Sequence, residues 1–193
     1  MPARPNEPIG SAPALAVLEL SSIARGVAVA DALSKRARSK MLRADPITPG
    51  KFLLIFVGEV AEVEQSLEAA LEVAGDRAID HLFLPQIHEA IVPALEALRP
   101  PPLVASLGIL EMGSAAATIL AADAALKEAE VQLAALHLCR GIGGKGYLAF
   151  TGTQDAVEAA LEAGDEAVEP RLREGRERIA RPHPDVDWVL ARL

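Results

Sequence analysis

Cysteine is nearly absent from this chain. Its 193 residues include one, Cys139, which excludes a disulfide framework and any four-cysteine zinc site and fits a reducing compartment. Aromatic residues are scarce too: four Phe, one Tyr and one Trp leave too few stacking platforms for single-stranded nucleic acid. Basic residues are outnumbered, 19 against 27 acidic, and the net charge of −8 argues against a nucleic-acid partner. Long apolar runs are missing: the purest, FLLIFV at 52–57, falls far short of the roughly 18–20 residues of a membrane span. The opening MPARPNEPIGSAP lacks the apolar core of a secretory signal, and residues 1–12 read as a flexible proline-rich arm. What the chain does have is apolar content, 51%, with 24% charged residues and a mean hydropathy of +0.24, the composition of a folded protein.

The chain reads as one unit written twice. Leu18-Glu19-Leu20 matches Leu110-Glu111-Met112 at an offset of 92; Ala30-Asp31-Ala32 and Lys35 match Ala122-Asp123-Ala124 and Lys127 at the same offset. The offset becomes 94 at Gly50-Lys51 and Gly144-Lys145, and 95 at His88 and His183. Matching blocks in one order, with slips where loops belong, mean a duplicated domain. Arg99-Pro100-Pro101-Pro102 cannot continue a helix, so the first domain is expected over 13–99 and the second over 103–193.

Each copy predicts the same series of elements. A short apolar strand (14–20; 104–111) leads to an Ala-rich helix (22–37; 114–129) with a serine where an N-cap belongs. Two strands follow, 40–45 and 52–57, then 131–139 and 146–151 in the second copy, joined by turn-forming residues. A second helix carries Val60, Val63, Leu67 and Leu71 on its apolar face; a last strand (79–84; near 179) and a short helix close the unit. Residues 162–177, dense in charge, read as a helix end and a solvated loop. The order βαββαβ is the ferredoxin-like, α+β arrangement. A domain of this size buries a modest share of its surface alone, so the apolar surplus predicts an oligomer.

Candidate chemistry is thin. Four histidines form no HExxH or other close ligand pair, and His88 and His183 read as polar residues at helix entrances. Cys139 has no CxxC partner and reads as a small hydrophobe near a strand end. Arg140-Gly141-Ile142-Gly143-Gly144-Lys145-Gly146 fails the phosphate-loop pattern: no Ser or Thr follows the lysine, and a strand follows instead of a helix N-terminus. A glycine hairpin is the expectation. Nothing converges as a catalytic group, so no enzyme activity is expected.

Several stretches carry a family resemblance: LAVLELSSIARGVAVADALSKRA, ITPGKFLLIFVGEVAEVEQSLEAA and LPQIHEAIVPAL in the first copy, LGILEMGSAAATILAADAALKEA, GIGGKGYLAFTG and IARPH in the second. The chain resembles the tandem-domain bacterial microcompartment shell proteins, of the propanediol-utilisation, unpermuted type. The resemblance implies two ferredoxin-like domains per chain and a homotrimer that mimics a hexamer. Such discs tile with other shell proteins, hexamers and pentamers, into the wall of a cytoplasmic microcompartment that encloses enzymes. It also implies a central pore lined by Ile47, Thr48, Pro49 and Gly50 and by Ile142, Gly143 and Gly144, passing small polar solutes. Disc-edge contacts fall on Lys35, Lys127 and Arg181; the first copy reads Leu84-Pro85-Gln86-Ile87-His88 where the arginine would stand. Some members hold an iron–sulfur cluster on a cysteine before the Pro-Gly-Lys. Here that position is Thr48, and a hydroxyl does not replace a thiolate, so no cofactor or metal is expected. The alternative is a tandem ferredoxin-like sensor of a small metabolite, since a fold does not settle function.

Overall fold

The computed structural model describes residues 14–97, 101–102 and 105–190. The expected arm, part of the expected domain join and Val104 lie outside them. The described chain divides into two compact units, the second beginning at Ala90.

In the first copy β1 (Ala14–Leu20) leads to α1 (Ile23–Arg36), β2 (Lys40–Ile47), β3 (Lys51–Gly58), α2 (Val60–Ala74) and β4 (Ala78–Leu84). After α3 (Ile91–Ala97) the second copy repeats the order: β5 (Ser106–Met112), α4 (Ala115–Glu128), β6 (Gln132–Leu138), β7 (Gly146–Gly152), α5 (Gln154–Glu166), β8 (Arg173–Ala180), then α6 (Asp185–Leu190). The sheets have matching strand orders, β2-β3-β1-β4 and β6-β7-β5-β8, and every pairing is antiparallel. This is the expected α+β, ferredoxin-like fold, present twice.

Local chemistry sets the helix starts. Ser22 Oγ accepts the Arg25 N–H at 3.2 Å, and Ser114 Oγ accepts that of Ala117 at 3.0 Å, each satisfying a first-turn donor that the helix leaves over. Thr153 does the same for α5 through the Ala156 N–H. α2 ends at Gly75, whose φ of 56° is the left-handed conformation glycine adopts without a Cβ penalty.

In the first copy β1 is buried along its whole length. Its even residues, Ala14, Ala16, Leu18 and Leu20, pack with Phe52, Leu54 and Phe56 against Val29, Leu33, Val63, Leu67 and Ala70 of the helices. Phe52 lies over Gly26, where any Cβ would enter the ring. The second copy solves the same contact with the sizes exchanged: Thr118 stands at the Gly26 position, and Gly146 at the Phe52 position leaves room for it.

Two expectations are corrected. Val60 was expected on the apolar face of α2 but is 44% exposed. It is the first helical residue, so no preceding turn flanks it and its Cβ points back beyond the helix. Residues 162–177 are not a solvated loop: α5 continues to Glu166 and β8 starts at Arg173. β8 is an edge strand, paired only with β5 in its sheet, and an edge tolerates charge that a central strand does not. Its arginines are held by carboxylates: Arg176 and Arg178 both reach Glu158, at 2.9 and 2.8 Å, and Arg173 reaches Asp165 at 3.4 Å.

Candidate functional site

The β2–β3 connection contains Ile47, Thr48, Pro49 and Gly50. Ile47 ends β2, nearly buried, and its carbonyl accepts the Gly50 N–H at 3.0 Å, closing a tight turn. The turn needs Gly50, whose φ is 81°. Lys51 opens β3, and its Nζ lies 3.2 Å from Glu19 Oε2 on the central strand β1. That carboxylate is completely buried, while the Lys51 side chain is 21% exposed.

The β6–β7 connection is built differently. Cys139, fully buried, follows β6 with a left-handed φ of 57°, an uncommon conformation for a residue with a Cβ. Gly141, Gly143 and Gly144 are also left-handed, and Ile142 stands exposed between them. The segment joins two strands, as expected for a glycine hairpin. Lys145, the counterpart of Lys51, spans two exposed carboxylates, Glu174 at 3.2 Å and Glu111 at 3.4 Å. Its bond to Glu174 and the charge beside it, then the bond to Glu111, hold the ammonium above its usual value of 10.5. The link is therefore intact at neutral pH and is lost only as pH rises through the alkaline range. Beside this hairpin His137 and Tyr147, directly opposite on β6 and β7, stack with ring centroids 5.0 Å apart and 3° between planes. Burial raises the Tyr147 phenol above its usual 10.0.

The lysines expected at disc edges share one geometry. Lys35 lies in the last turn of α1 with Nζ 2.6 Å from Asp31, four residues earlier, and Lys127 lies in the last turn of α4, 2.6 Å from Asp123. Surroundings differ: Asp31 is 62% exposed and Asp123 only 6%. Arg181 follows β8 with a left-handed φ of 50°, its N–H donated to the Ala105 carbonyl at 2.8 Å, its side chain exposed. The structure thus joins each hairpin lysine to a central-strand glutamate and each edge lysine to an aspartate, within its own copy. Sequence reasoning passed over these acidic partners. The signal was present in the repeat itself, since Glu19/Glu111 and Asp31/Asp123 recur inside the matching blocks.

Among the described residues no group of three or more His, Cys, Asp or Glu is placed to hold a metal ion, and no helix is long and apolar enough to cross a membrane. His183 Nδ1 accepts the Asp185 N–H at 3.3 Å, the polar helix-entrance role expected of it.

A duplicated ferredoxin-like domain, with equivalent hairpins and equivalent Asp–Lys pairs, defines the class. The BMC domain model matches residues 14–87 and again 106–181, and the chain belongs to the BMC-domain family. It is 40% identical over 171 residues to the bacterial microcompartment shell protein PduT of Citrobacter freundii, covering 88% of this chain and 93% of that one. A crystal structure of a microcompartments protein from Desulfitobacterium hafniense DCB superposes with a TM-score of 0.85 at 34% identity, covering 92% of this chain and 99% of that one. The carboxysome shell protein CsoS1C of Hydrogenovibrio crunogenus matches over 91 residues at 41% identity, 45% of this chain and 84% of that one.

Proposed function

We propose that the chain is a structural shell protein of a bacterial microcompartment, acting as a homotrimeric disc with six BMC domains. The observation that carries this is the pair of complete BMC folds in one chain, together with near full-length similarity to relatives named as shell proteins. That similarity gives no support to the metabolite-sensor alternative. In a disc with threefold symmetry the Ile47–Gly50 and Ile142–Gly144 hairpins would alternate about the axis and line a pore for small polar solutes. Exposure of Ile142 and the glycine-built, close-approaching backbone support this assignment. Thr48 leaves such a ring without thiolates, so the pore carries no iron–sulfur cluster. Lys35, Lys127 and Arg181 are the contacts between discs and with other shell proteins, hexamers and pentamers, of a wall in the cytoplasm around enclosed enzymes. The domains are 13–99 and 103–193.

Light scattering tests the trimer: the expected mass is three times 20.3 kDa, and a stable monomer would overturn the reading. Electron microscopy tests the edge. Lys127→Glu and Arg181→Glu are expected to leave the trimer intact and abolish extended sheets, because a small loss at each contact multiplies across a lattice. Unaltered sheets from both variants would reduce these residues to ordinary surface charges.

A further inference from the structure

The two copies are alike in fold but not in what covers them. On α4, Ala115 and Ile119 are 0% exposed; their counterparts on α1, at the offset of 92, are Ile23 at 44% and Val27 at 59%. Asp31 and Asp123 show the same contrast one turn further on. Within the second unit α3 packs on α4 and β6. The counterpart of α3 is α6, related by the offset of 95 that joins His88 to His183. The closing helices differ in the complementary sense: Ala94 of α3 is 8% exposed, and Val189, its counterpart on α6, is 46% exposed. One helix pair is thus covered, and the equivalent pair presents both of its apolar faces uncovered.

We infer that the outer face of α1 is the seat of α6 from another copy of this chain, the contact that α3 makes with α4 inside one chain. The sequence adds charge of matching sign: where α4 and α3 have Ala117 and Val92, α1 and α6 have Arg25 and Asp187. A seat of this kind joins two different surfaces, so it repeats from copy to copy and closes only when the rotation allows it. Closure after three copies is the trimer of the proposed function, and the inference rests on that reading while naming the surfaces that make it. It also explains why Ile23 and Val27, one helical turn apart, stay apolar on an exposed face.

The test uses cysteines at Val27 and Val189 in the otherwise native chain, whose own Cys139 is buried. With both Val27→Cys and Val189→Cys, a short bismaleimide is expected to give covalent bands of two and three chains, while either substitution alone gives none. A second variant, Val27→Asp, is expected to raise the concentration needed for trimers at least tenfold and to leave the circular-dichroism melting of the single chain unchanged, because Val27 is exposed there. A trimer that gives no 27–189 link, or links only within one chain, overturns the seat and leaves the trimer standing. Val27→Asp trimers at native concentrations overturn it as well. A native chain of monomer mass would overturn the trimer and this seat together.

Discussion

Gly26→Thr is expected to destabilise the first copy by about 3 kcal/mol, the upper range for overpacking a closed core. On a domain of this size that lowers the melting midpoint by roughly 12–24 °C. Any Cβ at Gly26 meets the Cβ, Cγ and Cδ1 of Phe52, a ring only 4% exposed, so the neighbour cannot swing into solvent. The second copy supplies the compensated form of the contact, with threonine on the helix and glycine on the strand. Phe52→Gly alone should cost about 3–5 kcal/mol through the void it leaves. Gly26→Thr added to Phe52→Gly should then stabilise, because the new side chain fills part of that void, although the same substitution destabilises the native chain. Such a reversal of sign is what coupled neighbours show and separated sites do not. Chemical denaturation of the four variants reads it directly. A Gly26→Thr effect of the same sign in both backgrounds would mean that the two positions do not interlock.

The repeat also explains what could be read before the structure. Serines 22 and 114 stood before Ala-rich segments, and both cap helices that start one residue later, since a hydroxyl is what the first-turn N–H groups need. Strand order followed from βαββαβ, because two helices on one sheet face leave few ways to connect four strands. β8 was not legible: its Arg-Glu-Gly-Arg-Glu-Arg run lacks apolar alternation, and its strand character comes from pairing along the buried β5. Of the candidate site, the hairpins were legible from Pro49, Gly50 and the glycines of 141–144, which the positive φ values require. The unequal burial of Asp31 and Asp123 was not, because burial depends on what another element covers and the two segments read almost alike. One sequence sign was available: alanine at 115–117, where α1 has Ile23, Ala24 and Arg25, suits a helix face packed closely against a neighbour.

Lys51→Met is expected to cost the first copy about 3 kcal/mol, whereas the equivalent Lys145→Met in the second copy should leave stability unchanged within error. Both lysines follow a hairpin glycine and both reach the glutamate of the central strand, so chemistry and topology are matched and burial is the variable. Glu19 has no exposed side-chain surface, and a carboxylate there depends on fixed partners because water cannot replace a lost ammonium. Removing one member of a buried pair costs about 3–5 kcal/mol, most of it from the charge left behind. Glu111 is 48% exposed and Glu174 38%, and solvent takes over when Lys145 is lost. Two further readings separate this cause from lost packing. Added salt should change the native stability little at Lys51, because buried pairs are weakly screened. Glu19→Gln should recover part of the stability in the Lys51→Met background while lowering it in the native chain, since the amide no longer carries the stranded charge. Equal losses at Lys51 and Lys145, or no recovery with Glu19→Gln, would show that the buried charge is not what fixes the Ile47–Gly50 hairpin to its sheet.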